Sequence, residues 1–92
     1  MIKFTPFLYQ DAEPLSDSEI KRKNWVDNLA NEKISQQLEE KLGDKRCNLH
    51  PDFINQIQIK MSDTSIGEVT SYCCEEFKKK LTLVAENKVP EW

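Results

Sequence analysis

Four side chains in this 92-residue sequence have the types and spacing to do chemistry together: Cys47 and His50, arranged Cys-x-x-His, and the adjacent pair Cys73-Cys74. Thiolate and imidazole are ligands that zinc accepts in a tetrahedral shell, and a Cys-x-x-His step supplies half of such a shell. Cys73 and Cys74 would complete it, so a structural zinc module built on Cys47, His50, Cys73 and Cys74 is one reading. Its weakness is spacing. The second half of a structural zinc site normally leaves two to four residues between its ligands, and neighbours on a strand point to opposite faces.

The competing reading makes the double cysteine a packing junction. One sulfur is then a small buried hydrophobe and the other is partly exposed, while His50-Pro51 is a loop dipeptide. On spacing alone this reading is preferred and zinc is the alternative. A third reading, a thiol enzyme or redox protein, places a reactive thiol at Cys73 or Cys74 with His50, the single histidine, as base. Glu75 and Glu76 beside those sulfurs favour the neutral thiol, and no oxyanion-forming motif accompanies them. Three cysteines cannot all pair within one chain, and a bond between neighbours is strained. Reduced thiols are therefore expected, although Cys47 could in principle bridge to Cys73 or Cys74.

The elements that must position these residues are legible as hydrophobic periods. Phe53, Ile57, Ile59 and Met61 alternate with polar residues as one half-buried strand, and Val69, Ser71 and Cys73 share a face of a second. The short connection between them requires an antiparallel hairpin. Glu75-Glu76 followed by Lys78-Lys79-Lys80, with Phe77, Leu81 and Val84 as an apolar stripe, reads as a closing helix aligned with its dipole.

Upstream, Ser16 as N-cap and Glu19 form a capping box, with Leu15 and Ile20 as a hydrophobic staple. The helix it opens carries Ile20, Trp25, Val26, Leu29, Ala30, Ile34, Leu38 and Leu42 and ends at Gly43, a good C′ residue. Run unbroken from Asp17 to Leu42 it would be about 39 Å long. Asn28 and Asn31 are weak helix formers at its middle, where a break or kink is as expected as continuity. Ile2 and Phe4 alternate with Lys3 and Thr5 as a possible edge strand.

The expected fold is thus α+β: a long or broken N-terminal helix, an antiparallel β-hairpin with a possible third N-terminal edge strand, and a C-terminal helix packed on the sheet. All 92 residues form one small domain, with 1–14 as an arm or edge strand and 87–92 as a loose tail.

A formal net charge of −3 lacks the basic footprint of a nucleic-acid binder. No apolar run approaches a membrane span and no signal-peptide pattern opens the chain, so a soluble, cytoplasmic protein is expected. The leading functional expectation is a small non-enzymatic protein-binding module, adaptor or regulator, whose partner is another protein or a second copy in a homodimer. Phe7, Tyr9, Ile34, Leu38 and Trp92 are its candidate contact residues. No cofactor is the leading expectation, with zinc as the one alternative.

Overall fold

Alternation of apolar and polar residues produces three five-residue strands: β1 (Ile2–Pro6), β2 (Asn55–Ile59) and β3 (Gly67–Ser71). Two helices complete the domain, α1 (Glu19–Leu42) between β1 and β2, and α2 (Glu75–Ala85) after β3. This computed structural model describes residues 1–88; the end of the expected tail, including Trp92, lies outside them.

The sheet order is β1-β2-β3. β2 and β3 form the expected antiparallel hairpin, with Ile57 opposite Val69. β1 is the third strand, and it pairs parallel to β2 with Phe4 opposite Ile57. The sheet is therefore mixed, and α1 is the crossover that a parallel pair requires. Gly67 begins β3 where the strands approach closely: a Cβ there would lie 2.6 Å from the Gln58 carbonyl oxygen.

One face of the sheet is covered by both helices. Ile2 and Phe4 of β1, Ile57 and Ile59 of β2, Leu42 of α1 and Phe77, Leu81 and Val84 of α2 are all buried in one cluster that includes Cys47. The opposite face exposes Lys3, Thr5, Glu68 and Thr70 together with Gln56, the polar half of the alternation.

Helix α1 departs from the sequence reading at its two ends. Its N-cap is Ser18, whose Oγ accepts from the Lys21 N–H at 3.4 Å, not Ser16. Ser16 Oγ instead accepts from the Ser18 N–H, and the expected staple is absent because Leu15 and Ile20 are 93% and 73% exposed. At the other end Gly43 keeps right-handed helical angles instead of the left-handed conformation usual at C′. The Gly43 carbonyl then accepts from the Ile2 N–H at 3.0 Å and ties the helix to β1.

Of the two outcomes the sequence left open for the middle of the helix, the structure takes continuity: α1 is unbroken. Asn28 and Asn31 are satisfied by side-chain hydrogen bonds that leave the helical backbone intact. Asn28 pairs with the backbone of Tyr9 in both directions, accepting from its N–H at 2.7 Å and donating to its carbonyl at 3.1 Å. Asn31, 1% exposed, donates to the Phe7 carbonyl and accepts from the Met61 N–H. Asn31, Ser35 and Leu42 are the buried residues of α1, and Ile34 and Leu38 pack partly buried against the core. A 24-residue helix spans about 36 Å, about twice the length of a five-residue strand, so its first half overhangs the sheet. There the Phe7–Tyr9 segment covers it in part, and Val26 and Leu29 remain about half exposed.

Candidate metal centre

The four sequence candidates meet at one point. The ligand atoms of Cys47, His50, Cys73 and Cys74 all lie within 4.8 Å of one another. Cys47 Sγ is 3.8 Å from His50 Nδ1 and 3.8 Å from Cys74 Sγ, and Cys74 Sγ is 3.8 Å from Cys73 Sγ. With zinc–sulfur bonds of about 2.3 Å, the edge of a regular S₄ tetrahedron is about 3.8 Å, and a sulfur–nitrogen edge is slightly shorter. Three of the separations match such a shell, and with all four atoms within 4.8 Å a contraction of about 1 Å at most would complete it.

Two local conformations bring the ligands together. In the first, the His50 N–H donates to the Cys47 carbonyl at 3.1 Å, closing a turn that directs both side chains to the same side.

The second conformation removes the objection that adjacent cysteines diverge. Strand β3 ends at Ser71, the chain bends at Cys73, and Cys74 is the extended N-cap of α2. Strand alternation therefore does not govern this pair, and both sulfurs turn inward. The Cys74 side chain makes no capping hydrogen bond, which leaves its sulfur to the cluster.

Asn55, which sequence reasoning passed over, fixes the second half. It is fully buried at the start of β2, and its Oδ1 accepts the Cys73 N–H at 3.0 Å. An asparagine at the apolar phase of an alternating strand, ahead of Ile57 and Ile59, was the available signal for it.

The electrostatics separate the thiols. Hydrogen bonding to His50 is the main cause that lowers the Cys47 pKa to about 6, with the Leu49 and His50 amides and Cys74 also lowering it and burial opposing. Burial, followed by its hydrogen bonds to Cys74 and Cys47, pushes Cys73 up to about 11. The histidine partner is thus Cys47, whereas the thiol-enzyme reading placed the reactive thiol at Cys73 or Cys74. A divalent cation among these groups reverses the penalty on Cys73, because a coordinated thiol is deprotonated.

The packing reading accounts for Cys47, which is 8% exposed, and in part for Cys73 and Cys74, which pack against the core, but not for His50. His50 is exposed and Cys73 and Cys74 are half-buried, so the cluster lies at the domain surface and includes polar groups that core packing does not require. All three cysteines are reduced. Beside the cluster is a cavity of about 310 Å³ lined by Cys47, Arg46, Leu49, Glu76, Phe77 and Lys80.

Four of the contact residues expected for a partner lie on or beside α1, Phe7 and Tyr9 through their backbone bonds to Asn31 and Asn28. Phe7 and Tyr9 stack edge-to-face at 5.0 Å with Lys60 over both rings, and so pack on their own chain. Ile34 and Leu38 lie beside the core on α1. No helix among the described residues is long and apolar enough to cross a membrane. Comparison of the chain with family models, with curated proteins and with solved structures gave no significant match.

Proposed function

We propose that this chain is a small non-enzymatic domain that binds one structural zinc ion through Cys47, His50, Cys73 and Cys74. The observation that carries this reading is the convergence of four ligand atoms within 4.8 Å, from a turn and a bend far apart in sequence. Four protein ligands fill a tetrahedral shell and leave no open position for substrate or activated water, which is the pattern of a structural site and not of a catalytic one. The metal would clamp the loop before β2 to the β3–α2 junction.

The test is metal content and metal-dependent stability. Full-length protein purified without chelator is expected to carry one equivalent of zinc and to lose thermal stability when a strong chelator removes it. Absence of metal, with an unchanged melting temperature in chelator, would overturn the assignment.

A second reading is action through protein contacts, specifically with a second copy of this chain. It is favoured by the overhanging half of α1, where the apolar side chains of Ile20, Val26 and Leu29 are exposed. Light scattering across a concentration series separates a monomer from a dimer, and the two readings are compatible.

A further inference from the structure

We propose that the zinc centre is also a thiol switch, in which a peroxide converts Cys47 and Cys74 to a disulfide and expels the metal. This rests on the zinc reading above. The supporting relationship is geometric: Cys74 Sγ touches both other sulfurs at 3.8 Å, but only one of these contacts leads to an unstrained bond. Cys73 and Cys74 are adjacent, and a disulfide between them would close a small ring across a planar peptide unit. Cys47 and Cys74 lie on separate segments, 27 residues apart, and the bond closes over the β2–β3 hairpin without that constraint.

Cys47 is the least exposed of the three thiols, but it alone of them lines a cavity among the described residues. The cavity beside the cluster opens against Cys47 and is large enough for a peroxide molecule, and Cys74 is half-buried at the start of α2. The Cys47 sulfur attacks one peroxide oxygen, the O–O bond breaks, and hydroxide leaves to take up a proton as water. Cys47 is then a sulfenic acid. The Cys74 sulfur attacks it, the S–S bond forms, the S–O bond breaks, and a second hydroxide leaves as water after protonation. Two thiolates have been oxidised by two electrons and one peroxide reduced to two waters. Zinc, left with only His50 and Cys73, dissociates because two ligands do not hold a tetrahedral shell.

The experiment uses the zinc-loaded full chain and hydrogen peroxide, with released zinc read by a chromogenic chelator. Zinc content before oxidant tests the metal reading; the events after it test the switch. The expected result is release of one zinc per chain and a bond joining tryptic peptides 47–60 and 61–78, with tandem mass spectrometry assigning the second half to Cys74. One thiol, Cys73, stays open to alkylation, and a dithiol reductant restores zinc uptake. Retained zinc, sulfinic acids without a disulfide, a Cys73–Cys74 or Cys47–Cys73 bond or chains linked to one another would each overturn the switch while leaving a zinc-replete starting protein to support the metal site. A starting protein that takes up no zinc overturns both.

Discussion

Cys74 Sγ lies 3.8 Å from Cys47 Sγ although 27 residues separate them, and this contact joins the two halves of the cluster. Loss of either sulfur leaves three ligands. Cys47→Ser or Cys74→Ser is expected to weaken zinc binding by more than about 100-fold, beyond the loss usual for an outer partner. Competition with a chromogenic chelator measures it. Zinc held at about 1,000 times its dissociation constant contributes about 4 kcal/mol to the folded state. The melting temperature of the wild-type chain should fall by a corresponding amount in chelator, while that of either variant should not respond.

Asn55 holds the Cys73 amide through its Oδ1 without itself being a ligand. Asn55→Ala should lower zinc affinity by about 10- to 100-fold, as for other outer partners of metal ligands. Unpairing the Cys73 N–H should also cost about 1–3 kcal/mol of stability. Zinc titration together with urea unfolding of metal-free protein separates the two effects; unchanged affinity would show that Cys73 is positioned without it.

Asn31 bridges the Phe7 carbonyl and the Met61 N–H from inside α1, at a buried site. Asn31→Leu removes both bonds, with an expected cost of about 2–5 kcal/mol for the two orphaned groups. Asn28→Ala, at a partly buried site, should cost less. Circular dichroism should show that the helix itself persists in both variants, because neither residue interrupts it.

The two shifted thiols set opposite pH dependences in the metal-free protein. Cys47, lowered to about 6, contributes stability present above its unfolded value, near 9, and lost as pH falls through 6. Cys73, raised to about 11, binds its proton more tightly when folded, so its contribution declines as pH rises from 9 to 11. These two groups together place the maximum near pH 9. Zinc must displace the Cys73 proton at neutral pH, so affinity should rise about tenfold per pH unit from this group alone. Cobalt(II), followed by its thiolate charge-transfer absorption from pH 6 to 8, reports this slope directly, and a flat profile would contradict it.

On the overhang of α1, Val26→Glu with Leu29→Glu should convert any concentration-dependent dimer to monomer and leave zinc content unchanged. Both side chains are about half exposed. Their exchange should therefore change monomer stability by no more than about 1 kcal/mol, about 0.5 for each substitution. Light scattering and metal analysis on the same preparation check both parts. A wild-type chain that stays monomeric at high concentration would end the self-association reading.

The elements and the ligand types were legible from the order of residues alone. Two-residue alternation through Ile57 and Ile59 and the Phe77, Leu81, Val84 stripe are local consequences of which face must be buried, so β2 and α2 could be read directly. Cys-x-x-His also announced its half of the site, because three residues close a turn by themselves. The remainder depended on contacts between distant segments. Whether Asn28 and Asn31 break α1 was decided by the backbone of Phe7, Tyr9 and Met61, whose polar groups accept and donate where propensity alone offers no partner. Parallel pairing of β1 with β2 followed from the α1 crossover. The convergence of Cys73 and Cys74 with Cys47 came from β3 ending at Ser71: once the chain leaves the strand, alternation no longer applies, and a bend held by Asn55 turns both sulfurs to one side.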